Sequence, residues 1–174
     1  LPDLSAIPQD VARQAKMIWV NYPNNPTSAE ANLGFYQDLV DWARRYDVAV
    51  IADNPYSEIC FDDFCPPSFL MADGAREVGI EFNSLSKAYN CCGWRIGMAL
   101  GNQEIIAAMM KVKSHSDRGI YYPIQVAATA ALNGPIDFME GRNKMFTERR
   151  DVVVDALGKL GIKAARPKAT FYVW

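Results

Sequence analysis

Three short, nearly continuous apolar runs dominate the first half of the chain, and a helical pattern separates the first two. Residues 16–20 and 48–52 are rich in β-forming side chains, and residues 78–82 make a weaker third run. Apolar residues at three- and four-residue spacing predict a helix over about 29–46. Because hydrophobicity along the runs is continuous rather than alternating, we expect strands covered on both faces. The pattern therefore predicts a three-layer α/β/α fold with a mainly parallel sheet.

The second half of the chain shows one further strand pattern, followed by helical ones. Residues 97–101 predict a strand, and residues 103–113 and 122–132 predict helices. Residues 136–160 predict a long amphipathic helix. Five apolar residues lie along one side of it: Phe138, Met145, Val152, Ala156 and Leu160. The closing run, residues 169–174, is apolar and aromatic and is interpreted as a strand.

The length of the last helix divides the chain into two expected parts. Residues 1–135 would form part of a larger domain, and residues 136–174 a connector helix and the beginning of a smaller one. The chain opens at Leu1 without a methionine and stops at Trp174 inside the apolar run. Since a terminal strand without neighbours leaves an unpaired edge, we expect the chain to be a fragment.

Composition and charge favour a globular domain that acts on small molecules. Half of the 174 residues are hydrophobic, and the net charge of −2 is spread without a basic run. This argues against binding to nucleic acid or to a membrane surface. The four cysteines lack the spacing of a zinc site, and adjacent Cys91 and Cys92 are poorly placed for a disulfide, which favours reduced thiols in a cytoplasmic protein. The single histidine, His115, is interpreted as a loop or helix-end residue.

A polar motif directly follows each of the three apolar runs. Residues 21–27 follow the first run, residues 53–56 the second, and residues 84–87 the third. In open parallel α/β sheets, ligands bind at the carboxyl ends of the strands. The order of runs and motifs therefore predicts that the three motifs converge on one site.

The third motif carries the chemistry of an aldehyde cofactor with a phosphate. Lys87 has a hydroxyl three residues before it, at Ser84, and a guanidinium eight residues after it, at Arg95. The amine can form an imine with the aldehyde, while the other two groups can hold the phosphate by charge-assisted hydrogen bonds. We expect Arg95 to be partly buried, because an enclosed guanidinium needs an anion. A surface lysine is the alternative interpretation of Lys87 taken alone.

The second motif can hold the ring of such a cofactor. Asp53 follows a buried-type strand, where a carboxylate needs a cationic partner such as a protonated pyridine nitrogen. Its alternative role is to cap the following Asn-Pro step. The Tyr56 hydroxyl can reach the cofactor's phenolic oxygen, although simple packing is the alternative for this residue.

The first motif indicates a rigid turn that can present the Asn25 amide. Thr27 or Ser28 is expected to cap the next helix, with Glu30 placed for a capping box. Both interpretations are compatible, since a rigid turn is a good mount for the amide.

Taken together, these motifs resemble those of the class I and II aminotransferases, the fold-type-I pyridoxal phosphate enzymes. Residues 80–97 and 119–125 also resemble the LL-diaminopimelate aminotransferase branch. The resemblance implies a large pyridoxal-phosphate-binding domain, the start of a smaller α+β domain, and a homodimer. It implies transfer of an amino group between an amino acid and a 2-oxo acid, in diaminopimelate and lysine biosynthesis for that branch.

The resemblance also assigns roles to individual residues. It implies that Lys87 forms the imine with pyridoxal phosphate and moves the substrate proton, and that Asp53 keeps the ring nitrogen protonated. Asn25 and Tyr56 would bond the ring oxygen. On the phosphate side it implies Ser84, Arg95 and, as a weaker candidate, Ser86.

The chain departs from the family pattern in two respects. Ser28 stands where the family usually has glycine, which a helix start would accommodate. The family's glycine-rich phosphate turn, ring-stacking aromatic and partner-subunit tyrosine would lie before the first residue, and its carboxylate-binding arginine after the last.

Other classes share these motifs. An aminotransferase-like effector domain of a transcriptional regulator would keep the lysine and the cofactor and use binding as a switch. A pyridoxal-phosphate-dependent carbon–sulfur lyase or a decarboxylase would also keep them. The isolated chain could further be a sheet domain that folds and binds no cofactor.

Overall fold

A computed structural model describes residues 1–117 and 119–174 and contains one mixed sheet. Its strands are β1 (Met17–Asn21), β2 (Ala49–Asp53), β3 (Gly79–Ser84) and β4 (Gly97–Gly101). They lie side by side in chain order; the first three are parallel, and β4 runs antiparallel to β3. The predicted mainly parallel sheet is therefore confirmed, and the bounds predicted for these four strands lie within two residues of the observed ones.

Helices connect and cover these strands. In the described chain they are α1 (Gln9–Gln14), α2 (Leu33–Tyr46), α3 (Ala75–Val78), α4 (Leu85–Ala88), α5 (Gln103–Ser116), α6 (Tyr122–Asn133) and α7 (Asp137–Lys159). The last three match the predicted helices closely. Helix α2 begins four residues later than predicted, at Leu33 rather than about residue 29.

The late start of α2 has a local cause. Asn32 caps the helix, and its Oδ1 accepts a hydrogen bond of 2.8 Å from the backbone N–H of Phe35. Ser28 instead lies in the left-handed region, at φ 57°. Thr27 donates a hydrogen bond of 2.6 Å to the side chain of Asn24 within the preceding turn. The predicted cap at Thr27 or Ser28, with its capping box, is therefore wrong.

The main core lies between α2 and the sheet. Tyr36, Leu39 and Val40 occur at helical spacing and are at most 2% exposed, and they share one apolar cluster with Val50 of β2. Burying a side chain of this size contributes about 1.5 to 3 kcal/mol to folding. The helix thus fixes the position of β2, and with it the carboxyl end of the sheet.

The strands differ in how fully they are covered. Residues 50–52 of β2 are all buried, which agrees with the prediction from continuous hydrophobicity. On β1, Met17 is 61% exposed and Trp19 is 59% exposed. Within the described residues, the expectation that both faces of this strand are covered is therefore wrong.

The closing residues do not form the predicted strand. Ala169 makes an isolated antiparallel bridge to Cys60, and one residue later Thr170 adopts φ 68°. A left-handed residue interrupts the extended backbone that a strand requires. Residues 169–174 therefore lie against the loop that follows β2 without extending the sheet.

Helix α7 packs through a different face from the one that its apolar residues predict. Phe138 is 48% exposed and Leu160 is 75% exposed. The buried residue is Arg150, whose Nη1 lies 2.5 Å from an Asp62 carboxylate oxygen and donates to the Pro167 carbonyl at 2.9 Å. A buried guanidinium needs such partners, and their positions set the contacting side of the helix.

Further features bear on the class of protein. His115 is exposed in the last turn of α5, which confirms the helix-end interpretation. The four cysteines are free thiols. Among residues 1–117 and 119–174, none of the helices has both the length and the apolar character needed to cross a bilayer.

Candidate functional site

The parallel strands bring the polar motifs to one edge of the sheet. Asn21, the last residue of β1, lies opposite Asp53, the last residue of β2, and Asp53 lies opposite Phe82 near the end of β3. The three motifs therefore start from neighbouring positions at the carboxyl end of the sheet. This arrangement is the one that the sequence predicts.

Asn21 joins the first two motifs directly. Its Nδ2 donates to the Asp53 carbonyl at 2.8 Å, and its Oδ1 accepts from the Asn25 backbone N–H at 2.9 Å. The Asn25 amide then donates to the Tyr56 hydroxyl at 3.3 Å. Sequence reasoning missed Asn21 as a site residue, although its position directly after an apolar run was the available signal.

Asp53 carries a half-buried carboxylate. Burial raises the pKa of this group above its ordinary value, because the charged form loses solvation. Among the residues that the structure describes, the Asp53 carboxylate accepts no hydrogen bond and forms no ion pair. A cation placed beside it would restore the lost solvation energy.

Tyr56 is almost completely buried, with 3% of its surface exposed. Burial raises the pKa of its phenol, and the hydrogen bond from the Asn25 amide lowers it. The phenol therefore stays protonated near neutral pH and can donate one hydrogen bond.

Lys87 lies in the short helix α4, half-buried in a cavity of about 450 Å³. Its Nζ is 5.8 Å from the centroid of the Phe171 ring, and that ring is 5.5 Å from the ring of Tyr56. Phe171 thus contacts both the lysine and the second motif. This contact brings the third motif to the same place as the first two.

The residues predicted on the phosphate side do not share one environment. Ser84 caps α4 by accepting a hydrogen bond of 3.1 Å from the Ser86 N–H, and Ser86 itself is buried. Arg95 is exposed, and its guanidinium donates to the Cys92 carbonyl at 3.0 Å. The expectation that Arg95 is partly buried is therefore wrong in the described chain, where its neighbours at residues 93–94 are exposed as well.

Sequence reasoning missed two aromatic residues at this site. Phe171 contacts Lys87, and the Tyr172 hydroxyl lies 2.7 Å from that of Tyr56. The sequence pattern assigns both residues to a strand. No spacing rule connects Tyr172 to Tyr56, because 116 residues separate them in the chain.

The family model for aminotransferases of class I and II matches residues 2–174. The chain belongs to this family. LL-diaminopimelate aminotransferases from Moorella thermoacetica and Aquifex aeolicus are 52% and 51% identical to it over 174 residues. These matches cover 100% of this chain and 45% of each relative, so the chain spans less than half the length of these aminotransferases.

Solved aminotransferase-family structures share the fold across the whole chain. Substrate-bound BacF from Bacillus subtilis superposes with a TM-score of 0.96 at 39% identity, covering 100% of this chain and 44% of that one. A probable N-succinyldiaminopimelate aminotransferase from Thermus thermophilus superposes with a TM-score of 0.94 at 37% identity, covering 100% and 47%. The fold-type-I architecture expected for the large domain is therefore confirmed.

Proposed function

We propose that the complete protein uses pyridoxal phosphate to transfer an amino group between an amino acid and a 2-oxo acid, with LL-diaminopimelate as the amino donor. The observation that carries the proposal is the meeting of the three polar motifs at one sheet edge, through the contacts of Asn25 with Tyr56 and of Phe171 with Lys87. The choice of donor is supported by the names of relatives about half identical to this chain.

The residues at this edge fit the proposed cofactor. Asp53 offers a half-buried carboxylate with raised pKa that lacks a cationic partner in the described chain, which suits a protonated pyridine nitrogen. Lys87 offers an amine and lines a cavity of about 450 Å³. The buried phenol of Tyr56 and the amide of Asn25 offer donors for a negatively charged ring oxygen.

Each residue then has a distinct task in the proposed reaction. Bound pyridoxal phosphate supplies an electron sink for the carbon–hydrogen bond that breaks. Lys87 would hold the cofactor through its side-chain amine, and the freed amine would carry a proton away from the substrate α-carbon. Positioned proton transfer of this kind contributes about 10²- to 10⁴-fold to the rate. Asp53 keeps the ring nitrogen protonated, so that the ring can accept electrons.

We assign the phosphate to the start of helix α4 and the residues after it. The proposed phosphate contacts are Ser84, Ser86 and Arg95. The Ser84 hydroxyl lies at the amino end of the helix, and a charge-assisted hydrogen bond to a phosphate would replace the bond that it donates to the Ile96 carbonyl. Arg95 is free to turn, because its one hydrogen bond in the described chain is to the nearby Cys92 carbonyl.

We also infer a domain boundary and an assembly. Residues 1–135 would belong to the large cofactor domain, and residues 136–174 would be the connector helix and the beginning of the small domain. The 23-residue length of α7 supports this division. The proposed assembly is a homodimer, with the amino acid and the 2-oxo acid as its small-molecule partners.

The attachment of the cofactor to Lys87 is the first test. In the complete protein loaded with pyridoxal phosphate, borohydride reduction followed by peptide mapping should place the reduced cofactor on Lys87. The Lys87→Ala variant should lose at least about 10²-fold in transamination rate, whereas exposed Lys111→Ala serves as the control and should retain it. Reduced cofactor on another lysine, or no bound cofactor, would contradict the proposal.

Product analysis tests the reaction itself. With LL-diaminopimelate and a 2-oxo acid, the complete protein should form the amino acid of the acceptor in step with loss of the donor. If a cysteine-type substrate instead released ammonia and sulfide without an acceptor, a carbon–sulfur lyase would replace the aminotransferase. Cofactor binding without turnover of any amino acid would favour an effector domain.

A further inference from the structure

Tyr172 contacts the proposed cofactor site from the far end of the chain. Its hydroxyl lies 2.7 Å from the hydroxyl of Tyr56, and the two rings meet edge to face with centroids 5.7 Å apart. Tyr56 is only 3% exposed. The bond between the two phenols is partly buried, which strengthens a hydrogen bond relative to one in water.

Two buried hydroxyls hold the backbone of Tyr172 in place. The Ser28 hydroxyl donates to the Tyr172 carbonyl at 2.9 Å, and the Tyr172 N–H donates to the Thr170 hydroxyl at 3.2 Å. Since a hydroxyl has one proton, Thr170 must be the donor in the 2.6 Å bond that joins it to Ser28. Both backbone groups of Tyr172 are thus satisfied, and Ser28 and Thr170 are 6% and 0% exposed.

The Tyr56 hydroxyl has two neighbours within hydrogen-bonding distance. Its phenol oxygen accepts from the Asn25 amide at 3.3 Å, and it lies within bonding distance of Tyr172. A phenol can accept bonds at its oxygen and donate one. If Tyr172 is the donor, the oxygen of Tyr56 is occupied by two donors, and its own proton is left for a third partner.

We infer that Tyr172 is a positioning residue for Tyr56: its hydroxyl donates to the Tyr56 oxygen and so directs the single Tyr56 proton to the ring oxygen of the cofactor. This inference rests on the proposed function. Tyr172 itself touches neither the substrate nor the cofactor in this role. It acts by making Tyr56 a stronger and better oriented donor, since hydrogen bonds in a chain polarise one another.

The consequence can be measured on the bound cofactor by absorbance. A hydrogen bond donated to the ring oxygen of the cofactor favours the protonation state in which that oxygen carries the most negative charge. For the Lys87-bound cofactor, this is the state after it has lost a proton. A weaker bond therefore raises the pH at which the visible band of the Lys87-bound cofactor changes. A neighbouring bond strengthens such a hydrogen bond by about 10 to 30%, so the shift caused by losing Tyr172 should be that fraction of the shift caused by losing Tyr56.

The experiment compares pH titrations of the cofactor band in the complete, loaded protein. Tyr56→Phe should raise the midpoint by about 1 to 2 pH units, and Tyr172→Phe by about 0.1 to 0.6. The double variant should match Tyr56→Phe alone, because Tyr172 acts through Tyr56. Tyr122→Phe is the matched control; this tyrosine is 73% exposed and should leave the midpoint unchanged.

The outcomes separate this inference from the proposed function. An unchanged or lowered midpoint in Tyr172→Phe, with a normal cofactor band, would overturn the role of Tyr172 alone. A double variant whose midpoint exceeds that of Tyr56→Phe by the full Tyr172 shift would also overturn it, because the two residues would then act independently. Absence of any Lys87-bound band in the parent protein would contradict the proposed function itself, and this inference with it.

Discussion

The core beneath helix α2 and the segment formed by residues 167–173 are held in place by different kinds of interaction. Under α2, apolar side chains such as Tyr36 and Leu39 pack against β2 and are almost fully buried. The C-terminal segment is fixed instead by buried polar groups, namely Arg150 of α7 and the hydroxyls of Ser28 and Thr170. Apolar contacts are non-directional, whereas each polar bond depends on a particular partner.

This difference has an energetic consequence. A packed apolar core tolerates a substitution that conserves volume at a cost below about 1.5 kcal/mol. A buried polar group that loses its partner costs about 1 to 3 kcal/mol, and more when it is charged. We therefore expect the loss of one polar group that holds the C-terminal segment to cost more stability than a volume-conserving change in the core beneath α2.

The largest expected effect comes from removing the Arg150 guanidinium. Arg150→Ala breaks the ion pair with Asp62 and the bond to the Pro167 carbonyl. Loss of a buried pair costs about 3 to 5 kcal/mol, but the Asp62 side chain is 49% exposed, so we expect about 2 kcal/mol. Urea unfolding of the complete protein measures this loss.

Two control variants test whether the loss of stability in Arg150→Ala comes from its buried polar contacts. Arg149→Ala removes a neighbouring exposed guanidinium and should change the unfolding free energy by less than about 0.5 kcal/mol. Leu39→Met conserves volume in the α2 core and should cost less than about 1.5 kcal/mol. If Leu39→Met were more damaging than Arg150→Ala, the proposed contrast between the two regions would be wrong.

A smaller effect is expected from the Ser28 hydroxyl. Ser28→Ala leaves the Tyr172 carbonyl and the Thr170 hydroxyl each without one partner. We expect a loss of about 1 kcal/mol in unfolding free energy, together with a rise in the cofactor titration midpoint smaller than that of Tyr172→Phe. The exposed Ser114→Ala should change neither quantity. Loss of stability with an unmoved midpoint would mean that Ser28 supports the fold without positioning Tyr172.

The same contrast explains which features could be predicted from the sequence. The strands and the long helices could be predicted because they follow from local patterns of apolar residues. The convergence of the polar motifs could be predicted because each motif directly follows a strand, as residues 53–56 follow residues 48–52, and parallel strands end at the same edge of a sheet. The contact of Tyr172 with Tyr56 crosses 116 residues and leaves no periodic signal. The buried side of α7 was mispredicted because a charged residue, Arg150, occupies it.

Ser28 is accommodated for a different reason from the one that the local sequence predicts. The serine was expected to fit because it would begin a helix, yet it adopts φ 57°, a conformation that favours glycine. Its hydroxyl compensates through bonds to Thr170 and Tyr172. Those partners come from the far end of the chain, so the sequence near position 28 could not reveal them.

The smallest expected effect concerns Asp53, and its sign depends on the cofactor. Burial raises the pKa of this carboxyl in the folded protein, so the folded state binds more protons than the unfolded state between the two pKa values. Stability therefore falls as the pH rises through that interval, and the full penalty is present at pH 7. In the cofactor-free protein, Asp53→Asn removes the charge and should raise Tm by about 1 to 3 °C.

The dependence of this effect on pH and on the cofactor makes it diagnostic. The Tm advantage of Asp53→Asn should shrink as the pH is lowered toward about 4, where the carboxyl of the parent protein also becomes neutral. With pyridoxal phosphate bound, the order should reverse, because the parent carboxylate then faces a protonated ring nitrogen and the amide does not. An Asp53→Asn protein that stays more stable than the parent when loaded would show that the carboxylate has no cationic partner, and the role assigned to Asp53 would be lost.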